Sequence, residues 1–405
     1  MGIVITVFVL FLFCRKVIRQ KKYMRNSMFI GLVIVFLFSL LLNSYLAYAM
    51  KWEYGVPGAD LRHYFDAAQA LNRGESITNL SKIWNVFDLK LSHIGYMAYV
   101  VYIWVIAFMP SIVDIRFSLQ LVYVIQAVVA VLASENIAAF FEDNERKKVK
   151  LFWIVLLNAG ILQQSSILMR DIWIVYFISV LMRECKENMP SIWKCSIMII
   201  LAFAMRSYTV LITIPIFIAF GLKKKKLGII SCIAIVTSFF VGTWIIDWFA
   251  SWANILWIYD FNFDINKIIV FLLYPNPINQ AKIMFSGIEH SYHYVHGGNC
   301  AWVYFLLSYW NFLVYPFVIV GIFKCLLKKD KQEKENLFFW ILIILSVVLI
   351  YGAFYDSTSE PRHKLMFLYG IVYLYNKGVD SIPIILEIIF FFMVTILFLG
   401  ICAFF

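Results

Sequence analysis

Uninterrupted apolar runs of about 20 residues recur along the whole chain, and they constrain its fold more than any other feature. At about 1.5 Å per residue, a helix of that length crosses the roughly 30 Å hydrocarbon core of a bilayer. Of the 405 residues, 63% are hydrophobic and 15% are charged, which leaves too few polar side chains to cover a soluble globule. We therefore predict an all-α, polytopic transmembrane helical bundle of about 10 to 13 spans, forming a single domain over residues 1–405.

The predicted spans alternate with short polar or basic segments. They lie near residues 27–50, 94–112, 117–140, 151–182, 195–221, 228–246, 302–323, 337–355, 365–376 and 382–403. Two of these runs contain polar residues, at "QQSSILMRD" and at "MRSYT", and each is predicted to break there. The first fourteen residues are also apolar, which predicts a short span or an anchor lying in the membrane.

Lys and Arg are grouped in clusters between the predicted spans. The clusters include Arg15–Arg25, Glu142–Lys150, Lys223–Lys226 and the segment "KKDKQEKEN". A net charge of +11 placed in this way is typical of cytoplasmic loops, so we predict membrane lipid as a partner and no nucleic acid. If every cluster is cytoplasmic, an even number of spans separates any two of them. Three predicted spans lie between Arg25 and Lys147, so either one of them does not cross fully or Glu142–Lys150 faces outside.

Residues 51–93 are predicted to form an outer loop with a short helix, and residues 247–301 a second long outer loop. In the first loop, Asp60 and Tyr64 are four residues apart and share a face of the helix. Asp60 is either the helix N-cap or a partly desolvated carboxylate that acts as a general base. Asp66 is a second, weaker candidate for the base. The candidate phosphate or hydroxyl contacts on this helix are Arg62, His63 and Tyr64.

Ionisable residues within or beside spans are costly, so each predicts a function. Arg170 and Asp171 are the only charged pair in their apolar run. They are either an interfacial Arg beside a helix cap or a fixed cation with its orienting carboxylate. Arg206 is the only charge between Lys194 and Lys223, and its guanidinium suits a phosphate because it donates two parallel hydrogen bonds.

The segment "DSTSEPRHKLMFLYG" carries a fourth charged group, with Glu360, Arg362 and His363 just before a predicted span. It is either a solvated loop with basic residues at the interface or a second phosphate clamp beside a carboxylate. Its basic residues are predicted on the outer face, against the positive-inside bias, and this favours the clamp.

The sequence does not predict a metal or another cofactor. The loop "EHSYHYVHGG" spaces His290, His293 and His296 three apart, but no carboxylate partner is evident, so a divalent metal is unsupported. The cysteines show no CxxC spacing, which argues against a zinc site or a disulfide framework. The common nucleotide-binding, metalloprotease and nucleophile-elbow signatures are absent from the sequence.

Three of these segments together resemble one family. "GADLRHYFDAAQALNRGE" resembles the first outer loop of the GT-C superfamily of membrane glycosyltransferases. "EPRHKLMFLYGIVYLYNKG" and "RSYTVLITIP" resemble segments of its protein-mannosyltransferase and aminoarabinose-transferase branch. The likeness spreads over residues 28–378, with a few positions in each motif, and bacterial exopolysaccharide or O-antigen polymerases look similar at this level.

The resemblance implies sugar transfer from a polyprenyl-phosphate-linked donor to a cell-envelope glycan or lipid acceptor. The Ile-, Lys- and Phe-rich composition indicates a bacterial source, so we predict a bacterial plasma membrane as the location. Asp60 would deprotonate the acceptor hydroxyl, while Arg206, Arg362 and His363 would hold the donor phosphate. Two alternatives stay open. A polysaccharide polymerase would use the same residues with a larger donor, and a flippase would move the lipid-linked sugar without cleaving it.

Overall fold

The computed structural model describes residues 1–49, 51–56, 60–75, 91–109, 114–245, 301–354, 361–380 and 382–404, and these contain helices, turns and bends but no strand. The helices are α1 (Gly2–Ile18), α2 (Lys22–Ser44), α3 (Asp60–Asn72), α4 (Leu91–Ile103), α5 (Ile115–Phe141), α6 (Glu145–Leu156), α7 (Ala159–Ser166), α8 (Asp171–Lys186), α9 (Ile192–Met205), α10 (Val210–Ile216), α11 (Lys225–Ile245), α12 (Ala301–Leu327), α13 (Lys331–Phe354), α14 (Pro361–Lys364), α15 (Leu368–Val379) and α16 (Ile384–Phe404). Short π-helical turns continue α2, α4 and α10. The predicted all-α class is confirmed for the described residues.

Several helices are suited to a membrane. Three are long and apolar enough to cross one, Lys22–Tyr48, Ile115–Phe141 and Leu306–Leu327, and the bent pair of α7 and α8 makes a fourth if it counts as one span. Large apolar side chains such as Val4 and Phe392 lie on the exterior of the bundle. Such a surface matches lipid rather than water, and these helices indicate a membrane protein.

The basic clusters meet at one end of the bundle. Near the end of α5, the Glu135 carboxylate lies 2.8 Å from the Lys148 ammonium, 2.5 Å from the Arg183 guanidinium and 3.6 Å from the Lys16 ammonium. The Lys186 ammonium donates to the Ala139 carbonyl, also at the end of α5. We call this the basic end. These contacts place Glu142–Lys150 beside the Arg15–Arg25 cluster, which begins in the last turn of α1.

The other end of the bundle is defined by Asp171 and Arg206, and we call it the Asp171 end. Helix α8 connects the two ends, because it runs over 16 residues from Asp171 to Lys186. Its length is about 24 Å at 1.5 Å per residue. Helix α9 runs back, and Arg206 directly follows its last residue. Both predicted chain breaks, at "QQSSILMRD" and at "MRSYT", therefore fall at the Asp171 end.

Helix α4 stays at the Asp171 end. The Tyr102 hydroxyl donates to the Val122 carbonyl, in the first half of α5, at 3.2 Å. The backbone of Gly95 packs against Ala204, in the last turn of α9. The segment predicted as a span near 94–112 is therefore a short helix that does not reach the basic end. Among the described residues between Arg25 and Lys147, only α2 and α5 run from one end of the bundle to the other. These two crossings return the chain to the basic end, so Glu142–Lys150 lies at the same end as Arg15–Arg25.

Helices α12 and α15 approach each other closely at two glycines. A Cβ built on Gly321 would lie 2.0 Å from the Leu374 carbonyl oxygen, and one on Gly378 would lie 2.0 Å from the Phe317 carbonyl oxygen. Glycines at helix interfaces allow such backbone contact inside membranes.

We expect Gly321→Ala and Gly378→Ala each to lower the free energy of unfolding by about 1 to 3 kcal/mol, because the added methyl group forces the two backbones apart. Denaturant unfolding in detergent micelles measures the change. Gly400→Ala is the control, because nothing lies within 4 Å of a Cβ at that position. Equal effects at Gly400 and Gly321 would contradict the close-packing explanation.

Candidate functional site

The helix predicted in the first outer loop packs on α4 through aromatic rings. Helix α3 begins at Asp60, as predicted, and Gly74 follows its last turn with a φ of +84°, which glycine adopts readily. The buried Tyr64 ring stacks on the Tyr96 ring, with 4.7 Å between centroids, and meets the Tyr99 ring edge-on at 5.0 Å. The side chain of Asp60 lies outside the described residues.

Arg170 lies on the same Tyr96 ring. Its guanidinium carbon is 3.9 Å from the ring centroid, and the residue is only 6% exposed. Within the described residues, the Arg170 Nε and Nη1 atoms make no hydrogen bond and no carboxylate pairs with the guanidinium. The ring face stabilises the cation partially. A buried charge without a counter-ion remains unfavourable, so the position suits an anionic ligand.

Asp171 pairs with Arg206. The Arg206 Nε lies 3.0 Å from Asp171 Oδ1, and its Nη2 donates to Oδ2 at 3.2 Å. The Asp171 carboxylate is fully buried. One of the two sequence interpretations has Asp171 orient Arg170, whereas in the structure the Asp171 carboxylate pairs with Arg206. Arg206, the lone Arg among apolar residues, therefore has the Asp171 carboxylate as its counter-ion.

We expect Asp171→Asn and Arg206→Gln to be strongly coupled, with an interaction free energy of about 1 to 3 kcal/mol in a double-mutant cycle. The reason is that each single change leaves the other charge buried without its partner. Unfolding of the four proteins measures the coupling. The exposed pair Arg73–Glu75 is the control cycle, where we expect less than about 1 kcal/mol. Coupling near zero at Asp171 would show that water already screens the pair.

A buried layer of uncharged polar residues supports this site, and the sequence analysis missed it. All of α7 is buried, including its polar run "QQSS". The Asn43 amide donates to the Ser166 carbonyl at 3.0 Å. In the orientation that satisfies both ends of the Gln126 amide, its oxygen accepts from the Tyr99 hydroxyl at 2.5 Å and its nitrogen donates to the Ser165 carbonyl at 3.2 Å. Four consecutive polar residues in an apolar run were the available signal.

The remaining predicted residues lie in two places. On α3, the partly exposed Arg62 forms ion pairs with Glu53 and Asp66, each at 2.9 Å, and His63 is exposed. These surface pairs contribute little to stability.

The last predicted group lies on and before α14, which packs against α7. His363 is buried and Arg362 is half-buried, while Glu360 and the His290–His296 loop lie outside the described residues. Burial lowers the pKa of the neighbouring Lys364 to about 7. The described contacts do not join Arg362 or His363 to Arg170. Within the described residues, no group of three or more His, Cys, Asp or Glu side chains could hold a metal ion.

A second buried charge cluster, around Glu135 at the basic end, was also missed by the sequence analysis. Glu135 is the only acidic residue in α5, and its carboxylate is fully buried among Lys16, Lys148 and Arg183. An ionisable residue within a predicted span was the signal that could have identified it.

No family model, no curated protein and no solved structure matches this chain.

Proposed function

We propose that the protein is a multi-pass integral membrane glycosyltransferase of the bacterial plasma membrane. It would move a sugar from a polyprenyl-phosphate-linked donor to a cell-envelope glycan or lipid acceptor. The observation that carries the proposal is the buried Arg170 guanidinium, which has two nitrogens without hydrogen bonds in the described residues. A guanidinium binds a phosphate through parallel hydrogen bonds and stays charged when buried.

The position of Arg170 supports a role beside Asp60. Asp60 begins the helix whose Tyr64 stacks on Tyr96, and Arg170 lies on that same Tyr96 ring. The proposed base and the proposed phosphate-binding cation are thus on elements joined through one aromatic residue. By the positive-inside rule, the Asp171 end faces outward, where cell-envelope acceptors are found.

The proposed reaction is a direct displacement. Asp60 takes the proton of the acceptor hydroxyl, and the hydroxyl oxygen forms a bond to the anomeric carbon of the sugar. The bond between that carbon and the donor phosphate oxygen breaks, and polyprenyl phosphate leaves with the electron pair. Arg170 stabilises the negative charge that develops on the leaving phosphate. The family resemblance also implies Arg206, Arg362 and His363 at the donor phosphate, but Arg206 already pairs with the Asp171 carboxylate, so Arg170 is the cation that the proposal relies on.

The test uses membranes that contain the wild type or Asp60→Asn, supplied with radiolabelled polyprenyl-phosphate sugars. We expect transfer by the wild type, with release of polyprenyl phosphate, and a loss of about 100-fold or more in Asp60→Asn because the base is gone. Glu75→Gln, which changes an exposed carboxylate just after the same helix, is expected to keep full activity.

Other outcomes of this assay assign the protein differently. Movement of intact lipid-linked sugar across the bilayer without transfer would contradict the proposed glycosyltransferase activity and favour a flippase. Transfer only from a lipid-linked repeat unit would assign a polymerase. Equal transfer by the wild type and Asp60→Asn would reduce Asp60 to a helix cap.

A further inference from the structure

A cavity of about 1190 Å³ opens at the basic end, away from the proposed transfer site. Seven lysines line it, against the two carboxylates of Asp330 and Glu335. The lysines are Lys186, Lys223, Lys224, Lys225, Lys226, Lys331 and Lys377. The cavity is therefore strongly positive at neutral pH.

Most of this charge is not neutralised by the protein. Lys186 pairs with Asp143 outside the cavity at 2.6 Å, and Lys377 pairs with Glu333 at 3.3 Å. Lys223 donates only to backbone carbonyls. In the described part of the chain, four lining lysines form neither an ion pair nor a side-chain hydrogen bond: Lys224, Lys225, Lys226 and Lys331. Glu335 and Asp330 attract Lys225 and offset part of this charge, but the lining lysines outnumber the carboxylates. The excess cations repel one another, and a bound anion would relieve that repulsion.

The cavity also has an apolar floor. The Trp340 side chain is 1% exposed, and its ring stacks between Phe220 and Tyr373, with centroids 5.8 Å and 5.9 Å away. The unpaired lysines are exposed or half-buried and thus form the rim. Helices α11 and α13 begin at this rim, with their first residues Lys225 and Lys331, and helix N-termini favour anions.

We propose that this cavity binds a phosphate group, held by the lysine rim above the aromatic floor. The phosphate belongs either to the headgroup of an anionic lipid or to a soluble phosphate. The site is separate from the proposed transfer site, because α8 runs about 24 Å from Asp171 to the cavity residue Lys186. It needs none of the residues that the proposed reaction uses.

The test compares two triple variants of the full chain in phosphatidylcholine nanodiscs. Lys224→Gln/Lys225→Gln/Lys226→Gln removes three rim charges. Lys21→Gln/Lys22→Gln/Lys329→Gln removes three exposed lysines that do not line the cavity. One arm titrates inorganic pyrophosphate by calorimetry, and the other adds phosphatidylglycerol to the nanodiscs and measures its retention by native mass spectrometry.

We expect the rim variant to weaken binding by about 100-fold in at least one arm, and the matched control by less than about 3-fold. Lys331→Gln alone is expected to weaken it by about 5-fold. Loss of pyrophosphate binding assigns a soluble phosphate, whereas loss confined to phosphatidylglycerol assigns a lipid headgroup. No binding in either arm, or equal weakening by both triple variants, would overturn the site. Sugar transfer, measured separately, tests the proposed function whatever the result here.

Discussion

Replacing Arg170 by Gln is expected to lower sugar transfer by about 100- to 1,000-fold, the effect of removing one preorganised donor from a site of developing negative charge. The expectation depends on the proposed function. Gln fills part of the same space, but it has no charge and lacks the planar fork that fits a phosphate. Arg170→Lys keeps the charge without the fork, so we expect it to recover only part of the activity.

The same Arg170→Gln change is expected to leave the fold intact. It removes a buried charge that has no carboxylate partner in the described residues, which favours stability. It also loses the contact with the Tyr96 ring, worth about 0.5 to 2 kcal/mol. The free energy of unfolding should therefore change by less than about 1 kcal/mol, with either sign.

Activity and stability together separate a ligand-binding role of Arg170 from a structural one. Arg73→Gln is the matched control, since it removes an exposed guanidinium at the end of α3. It should retain both full transfer and full stability. A large loss of stability in Arg170→Gln, with transfer falling only in proportion to the folded fraction, would show that Arg170 holds the bundle together instead.

The helix positions were predictable from the sequence because lipid imposes a simple rule. A helix in hydrocarbon must be apolar over a fixed length, so runs of apolar residues give its position almost directly. The segments that became α2, α5 and α12 were all recognised in this way. The breaks at "QQSSILMRD" and "MRSYT" were recognised because polar residues interrupt the runs.

How far each helix crosses the bundle, and which elements it packs against, were less predictable from the sequence. The same hydropathy that describes a crossing helix also describes α4, which packs against the first half of α5 and stops. Whether a segment crosses depends on what it packs against, and hydropathy does not report packing. Counting the spans between the basic clusters did reveal a conflict, because three predicted spans lie between Arg25 and Lys147 where an even number is expected. The count alone left two explanations: one span does not cross fully, or Glu142–Lys150 faces outside.

Pairing at the candidate site followed from helix packing rather than from sequence neighbours. Asp171 is adjacent to Arg170 in sequence, yet its carboxylate meets Arg206, 35 residues away. The cause is that α8 begins where α9 ends, while the Arg170 guanidinium turns to the Tyr96 ring. The sequence identified Arg170, Asp171 and Arg206 as charges beside apolar runs, and only the three-dimensional arrangement shows that Asp171 pairs with Arg206.

Glu135→Gln is expected to lower the free energy of unfolding by about 2 to 4 kcal/mol, although it changes only one oxygen to an NH₂ group. The Glu135 carboxylate is fully buried and faces Lys16, Lys148 and Arg183. Removing its charge leaves three cations together without their anion. The expected loss lies slightly below the usual range for a buried ion pair, because the Arg183 side chain is 40% exposed and can turn toward solvent.

Denaturant unfolding of the reconstituted protein measures this effect, and two further variants identify its cause. Asp143→Asn makes the same chemical change at a carboxylate that is 90% exposed and paired with Lys186, so we expect a loss below about 1 kcal/mol. Glu135→Gln/Arg183→Gln removes one of the cations left without an anion and should be more stable than Glu135→Gln alone. If the second change lowers stability further, the two residues contribute independently and charge balance is not what holds this end of the bundle. If stability is regained, the carboxylate holds together α1, α6 and α8, which carry the three cations around it.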